Sequence, residues 1–300
     1  MQNHHFLHGI DYALGEEERA HDTASGFGTF NIPNRPALWG WGQYRQATGS
    51  VFDLMIAAAK RSMDAARIRP ADIDCVVFCH ATVPAYDGPP IAAVSRVLNA
   101  LGLERAFPVS VGLNGCAAML SGVALADGLL AARRYRNVLV IAGDVHPADG
   151  PRFLRYAIFS DAACACVVSS EPRDGGYALV ATATAADPAT MAEDAGFSSA
   201  LALQANQALL GAADLAPSDV ARIFCNNIFL PITTMKETEG GFEAGQIYTD
   251  NVKRIGHCYS ADALIGLADF ARAGGAQRGA YFLAGADSPG LRAGVLLKAV

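Results

Sequence analysis

Charge is scarce in this sequence: 17% of residues are charged, and the 23 Lys and Arg stand singly instead of in runs. With a formal net charge of −6, no basic stripe is available to neutralise a row of phosphates, so nucleic acid is not an expected partner. The motifs that announce nucleotide hydrolysis (G-x-x-x-x-G-K-S/T), dinucleotide redox (strand-linked G-x-G-x-x-G), serine hydrolysis (G-x-S-x-G) and zinc proteolysis (H-E-x-x-H) are all missing. The start, MQNHHFLHGIDYALGEEE, has neither a basic n-region nor an apolar h-region, so no export signal is expected. The seven cysteines form an odd set without a disulfide-framework spacing, and the chain is too large to need staples. Reduced thiols and a cytoplasmic location are the expectation. Cys75/Cys79 and Cys164/Cys166 have strand-like spacing and no second ligand pair at zinc distance, so no metal is expected.

Charge is missing altogether from Ala106 to Ala126, a length that would span a bilayer as one helix. Pro108, Ser110, Gly112, Asn114 and Gly115 interrupt its first half, which suits a buried strand, a turn and a helix that begins only after Gly115. The run is expected to be core, and no membrane partner is implied.

What the sequence does have is apolar residues, 52% of the chain, and internal repetition. Ala66 to Asp74 leading into Cys75-Val76-Val77-Phe78-Cys79 matches Ala213 to Ala221 leading into Arg222-Ile223-Phe224-Cys225-Asn226, with Ala, Pro and Asp in register. Each copy follows an Ala-rich helical segment, Phe52 to Ala66 or Ser198 to Ala213. A second pair is longer: Gly115-Cys116 through Leu125-Ala126-Asp127 to Asn137–Gly143 matches His257-Cys258 through Leu267-Ala268-Asp269 to Gly279–Gly285. Both copies predict a turn, a helix of about five turns and a buried strand. The chain is therefore expected to comprise two tandem α/β halves, residues 1–170 and 171–300, layered as αβαβα around a pseudo-two-fold axis. Ligands of open α/β sheets bind where strand ends and helix starts converge, which singles out Cys116, Asn226, Asn227 and His257.

Cys116 stands at a Gly-to-helix junction, where free backbone N–H groups and the helix dipole favour a thiolate and can hold an oxyanion. A thiolate attacks thioesters. The alternative is a small buried hydrophobe at the start of a core helix. His257 occupies the corresponding turn of the second half and is the candidate for proton transfer. The remaining histidines, His4, His5, His8, His21, His80 and His146, offer no pairing.

Asn114-Gly115-Cys116-Ala117-Ala118, the Leu-Ala-Asp helix after it, the strand Val138 to Asp144, the segment Phe159–Ala165 and the Gly256 turn together resemble the ketosynthase III (3-oxoacyl-carrier-protein synthase III) branch of the thiolase superfamily. The resemblance runs from about Phe6 to Val300. It implies a thiolase-like duplicated αβαβα five-layer fold and a homodimer that needs no cofactor beyond its thioester substrates, acyl-coenzyme A or acyl carrier protein. It further implies an acyl group loaded on Cys116 and then condensed decarboxylatively with a malonyl-type thioester, in fatty-acid or polyketide-type biosynthesis. The family's catalytic His falls on Asn226 and its Asn on His257, so imidazole and amide have changed places. Both donors survive, but the proton-transfer group lies across the cavity. The alternatives are non-condensing transfer to an alcohol or amine, and a silent subunit that shapes a partner's site.

The Arg that closes the family's His-containing run is matched by Pro231, and Trp39, Trp41 and Arg45, with Asn227, are the expected substrate-binding side chains. The family's C-terminal glycine run, which supplies an oxyanion-hole N–H, reads Asp287-Ser288-Pro289-Gly290. Pro289 has no N–H, so Ser288 or Gly290 is expected to join the Cys116 N–H in that role.

Overall fold

The computed structural model describes residues 5–82, 89–191 and 196–300. Strands β1 (His5–Leu14), β2 (Glu17–Ala20), β3 (Gln43–Gln46), β4 (Cys75–Cys79), β5 (Phe107–Val111), β6 (Asn137–Asp144) and β7 (Ala162–Ser169) fall before residue 170. Strands β8 (Tyr177–Ala186), β9 (Val220–Phe224), β10 (Ile247–Tyr248), β11 (Tyr281–Ser288) and β12 (Leu291–Ala299) follow. The helices are α1 (Pro36–Trp39), α2 (Val51–Ala65), α3 (Pro90–Leu101), α4 (Ala118–Ala131), α5 (Ser199–Gly211), α6 (Leu230–Glu239), α7 (Asp250–Ile255) and α8 (Asp262–Arg272).

Apart from the β2–β3 hairpin, the strands form one sheet in the order β10-β9-β11-β12-β8-β1-β7-β6-β4-β5. The order is symmetric about the β8–β1 junction. On one side β4 pairs in parallel with β5 and β6, and antiparallel β6–β7 and β7–β1 pairs complete the set. On the other side β9 pairs in parallel with β10 and β11, and antiparallel β11–β12 and β12–β8 pairs complete it. The repeated sequences fall on equivalent elements: β4 with β9, β6 with β11, α4 with α8, and the Pro70–Asp72 turn with Pro217–Asp219.

Side chains alternate between the faces of a strand, and this alternation sorts the layers. From β4, Val76 and Phe78 point to an outer cluster that α2 covers with Phe52, Met55 and Ala59, while Val77 and Cys79 point to a central cluster. That central cluster holds α4 and α8 and also receives Phe282 of β11 and Val295 of β12. In the second half, Ile223, Leu283 and Leu296 face outward against Leu209 and Leu210 of α5. The arrangement is helix, sheet, helix pair, sheet, helix, which is the thiolase-like five-layer architecture.

The uncharged run from Ala106 to Ala126 becomes β5, a turn and the first part of α4. Helix α4 touches β4 and β6 of one half and β12 of the other, and a helix wrapped by protein on all sides is apolar all round. Burial between the two halves of the sheet explains the absence of charge from the start of α4, whereas β5, expected as a buried strand, is an edge strand whose residues are exposed or half-buried. Among the described residues no helix is long and apolar enough to cross a membrane. The helices of the longer repeat are shorter than their sequence suggests. α4 has 14 residues and α8 has 11, because each is preceded by a 3-10 turn, Gly115–Ala117 or Tyr259–Ala261, that takes up the first helical-looking residues.

Close packing in the central layer can be tested with two glycines of α4. A Cβ on Gly122 would lie 2.4 Å from Cys79 Sγ, whereas one on Gly128 would meet open space. Gly122→Ala is expected to lower the unfolding free energy by about 1–3 kcal/mol through overpacking. Gly128→Ala should raise it by up to about 1 kcal/mol through helix propensity. Urea unfolding of both variants checks the contrast, and a stabilising Gly122→Ala would contradict the packing.

Candidate active site

Cys116 is the one cysteine of seven that is not buried. Cys75, Cys79, Cys164 and Cys166 lie in β4 and β7, and Cys225 and Cys258 are buried beside the site. Burial pushes the Cys75 thiol up to about 11 and Cys166 to about 12, so these are inert hydrophobes. Cys116 sits in the Gly115–Ala117 turn at the head of α4. Gly115, at φ +50°, brings this turn against β11, since a Cβ there would lie 2.0 Å from Ser288 Oγ.

His257 meets Cys116 directly, with Nε2 3.3 Å from Sγ. The main chain fixes the ring from both sides: His257 N–H donates to Ile158 O at 2.8 Å, and Ser160 N–H donates to His257 O at 2.8 Å. Gly256, at φ +65°, closes α7 and turns the chain into this bridge. The Phe159 ring packs against the imidazole at 4.8 Å between centroids, and Tyr259 stacks on it at 5.8 Å.

His257 Nδ1 is paired with Asp262 Oδ2, the first residue of α8. Asp262 is buried and accepts three further hydrogen bonds: from Asn227 N–H at 2.7 Å, Asn227 Nδ2 at 2.9 Å and Cys258 N–H at 2.7 Å. Burial of the imidazole opposes its protonation, but the Asp262 carboxylate and the Cys116 sulfur outweigh it and raise His257 to about 10. At neutral pH His257 is therefore an imidazolium held between two acceptors. Cys116 Sγ, the His257 ring and the Asp262 carboxylate stand in line, an arrangement able to supply a nucleophile, a proton carrier and an orienting carboxylate.

The other expected residues divide. Asn226, two residues past the end of β9, is buried; its Oδ1 accepts from Asp287 N–H at 2.7 Å, and its Nδ2 has no partner among the described residues. The next residue along β11, Ser288, reaches Cys116, so Asn226 and Cys116 are tied to consecutive residues of one strand. Asn227 is not a substrate-facing residue. Its backbone and side chain are spent on Asp262 and on Gly256 O, the latter at 2.9 Å.

Trp41 is 3% exposed, in an aromatic cluster with Phe27, Phe153 and Phe229, and belongs to the core instead of a ligand-binding surface. Trp39 stacks on it at 6.1 Å and donates Nε1–H to Pro33 O at 3.0 Å. Arg45 is paired with Glu18, and its N–H donates to Ser160 Oγ at 2.9 Å. These three shape the wall behind Phe229 and Ser160.

For the oxyanion hole, the Cys116 N–H already donates to the Ser288 side-chain Oγ at 2.9 Å. Ser288 is thus engaged through its hydroxyl, not its N–H. Gly290 lies in the β11–β12 turn against the Asp187–Met191 segment, where its carbonyl accepts from Asp187 N–H at 2.8 Å. It is not brought to Cys116. Residues 192–195, which follow this segment, lie outside the described residues.

Sequence reading missed Asp262, whose only signal is an Asp at a helix start shortly after the candidate His. It also missed a buried ionic cluster under the site. Lys236 pairs with Asp287 and, at 2.7 Å, with Glu237; Arg292 contacts Glu237 at 2.9 Å and Asp287 at 2.6 Å. At the end of β6, Asp144 accepts from Ala81 and Thr82, and burial pushes it up to about 7.

A family model for 3-oxoacyl-acyl-carrier-protein (ACP) synthase III matches residues 113–188, which include Cys116. The beta-ketoacyl-(acyl-carrier-protein) synthase III of Chlamydia muridarum is 34% identical over 117 residues, 37% of this chain and 33% of that protein. That of Caldanaerobacter subterraneus is 30% identical over 142 residues, 45% of this chain and 40% of that protein. The chain thus spans less than half the length of these curated relatives in the matched stretches. Solved structures match throughout: the acyltransferase ChlB3 (TM-score 0.85, 19% identity, 99% of this chain and 98% of that one) and the 3-oxoacyl-(acyl-carrier-protein) synthase III of Aquifex aeolicus (0.79, 18%, 98% and 99%). The stretch around Cys116 is thus similar to ketosynthase III sequences, and the fold of the whole chain is that of the thiolase-like solved structures.

The contact of His257 with both Cys116 and Asp262 makes a prediction about reactivity. Iodoacetamide should modify Cys116 ahead of the six buried thiols. Asp262→Asn removes the charge that favours the imidazolium, and each lost pKa unit of that pairing is a factor of ten. Alkylation of Cys116 at pH 7, followed by peptide mass spectrometry, is expected to slow about tenfold or more. An unchanged rate would separate Asp262 from the reactivity of the sulfur.

Proposed function

We propose that this chain is an acyl-thioester-dependent acyltransferase: Cys116 takes an acyl group from a coenzyme A or carrier-protein thioester, and a second substrate removes it. The observation that carries this reading is the Cys116–His257–Asp262 line. The Cys116 thiolate attacks the donor carbonyl, the donor's C–S bond breaks, and the departing thiolate takes the proton from His257 Nε2. Acylation also removes the negative sulfur beside the imidazole, so the neutral ring, still held by Asp262, is ready to accept a proton. Cys116 packs against the apolar cluster of Ala157, Phe159, Ile228 and Tyr259, which Leu154, Tyr156, Phe197 and Ile232 also border, and these surroundings support an apolar acyl group.

For the second step the geometry favours transfer to a hydroxyl or amine. His257 can take the acceptor's proton while the acceptor attacks the acyl-Cys116 carbonyl and the Cys116 thiolate leaves. Asn226 can donate a hydrogen bond but cannot carry a proton. Decarboxylative condensation is the second reading, favoured by the unpartnered Asn226 Nδ2, which can polarise a malonyl carbonyl beside His257, and by the synthase names of the relatives. A silent partner subunit is disfavoured, since a nucleophile in contact with an Asp-backed His has no use there.

A homodimer belongs to the same reading. Among the described residues β5 ends the sheet, with Phe107 in it (62% exposed) and Leu113 just after it (95%). An unpaired apolar edge invites a second strand, and a second copy supplies one of equal register.

Intact mass spectrometry after incubation with acyl-thioesters should show one acyl adduct, lost in Cys116→Ala. When the isolated acyl-enzyme is offered a hydroxyl or amine acceptor, the adduct should disappear without carbon dioxide release. Turnover only with a malonyl thioester, with carbon dioxide released, would make condensation the function. Phe107→Asp is expected to convert the dimer to monomer in light scattering; a wild-type protein that is already monomeric would remove the dimer from the account.

A further inference from the structure

Pro289 leaves this chain without a backbone N–H at the point where the resemblance calls for an oxyanion donor, and a side chain stands beside the gap. Ser288 Oγ accepts the Cys116 N–H at 2.9 Å, in space that exists only because residue 115 is glycine. A serine hydroxyl has one proton and two lone pairs. Accepting from Cys116 uses a lone pair, and no acceptor among the described residues takes the proton. Ser288 is half-buried beside the Cys116 N–H, so its hydroxyl is not enclosed by the packed interior.

The position of this hydroxyl is fixed from below. Asp287, its neighbour, is clamped by Lys236 and Arg292, and the Asp287 N–H is held by Asn226 Oδ1. Buried, fully paired charges of this kind fix one geometry of the strand end.

We propose that the Ser288 hydroxyl is the oxyanion donor of this site, acting in a relay from Cys116 N–H through Ser288 Oγ–H to the acyl oxygen. As Cys116 Sγ bonds to the thioester carbon, the carbonyl electron pair moves to oxygen, and the hydroxyl donates a hydrogen bond without giving up its proton. The pair then returns to reform the carbonyl as the donor thiolate leaves with the proton from His257. The N–H bond at the back of the hydroxyl polarises it, so the relay is a stronger donor than an isolated serine. The inference rests on the loading of Cys116 proposed above.

The test uses the full chain and hexanoyl-N-acetylcysteamine thioester, with adduct growth on Cys116 followed by intact mass in a single turnover. Ser288→Ala is expected to slow acylation about a hundredfold, the usual loss for one oxyanion donor. Its alkylation by iodoacetamide, which passes through no oxyanion, should stay within about threefold of wild type on the same scale. Ser288→Thr keeps the hydroxyl and should restore most of the acylation rate. Acylation of Ser288→Ala at or above the wild-type rate would overturn the relay, making the hydroxyl an occupant of the hole. A parallel fall in acylation and alkylation would overturn it too, showing a structural role. Wild-type protein that forms no adduct would defeat the loading reading itself, and the relay with it.

Discussion

Everything at this site hangs on the buried carboxylate of Asp262. It stands at the first residue of α8, where the helix dipole favours an anion, and four donors converge on it from His257, Asn227 and Cys258. A buried carboxylate with that many partners is fixed in place, and it fixes what it touches. It sets the ring of His257, and Asn227, bound to both Asp262 and Gly256 O, ties the end of β9 to the turn that carries the imidazole. Two segments of the second half, the end of β9 and the turn before α8, thus meet at a single anion.

A second buried set of charges performs the matching task on the other side of the cavity. Lys236, Glu237, Asp287 and Arg292 neutralise one another in the interior, which costs desolvation and returns a rigid strand end. Asn226 and Ser288 are attached to that end. The imidazole of His257 is thus anchored by the Asp262 assembly, and the amide of Asn226 by the strand end that the ionic cluster holds. Cys116 touches both, through Sγ to one and through its N–H to the other.

Much of the architecture could be read from the chain because the repeats carry it. The Pro70 and Pro217 turns, the strands after them and the shared Leu-Ala-Asp of α4 and α8 fall on equivalent elements, and the uncharged run forms a strand, a turn and the start of the central helix α4. Helix lengths were less legible, since the 3-10 turns before α4 and α8 have the composition of helix. Cys116 and His257 were legible from their places in the turns, and they meet. The carboxylates were not: Asp262 and Asp287 are ordinary residues in sequence, and only tertiary contact reveals their partners. Trp41 and Arg45 misled for the converse reason. Their types suggest recognition, but the fold uses one to fill an aromatic core and the other to pair with Glu18.

The central claim is that the Cys116 sulfur and the Asp262 carboxylate together raise His257 far above its ordinary value, and that the proposed acylation of Cys116 takes one of the two away. Nitrogen-15 NMR of histidine-labelled protein, recorded across pH before and after acylation of Cys116, reads this directly. The account predicts a His257 midpoint near 10 in the free protein and a clear downward shift in the acyl-enzyme. A midpoint in the ordinary histidine range that does not move on acylation would contradict it.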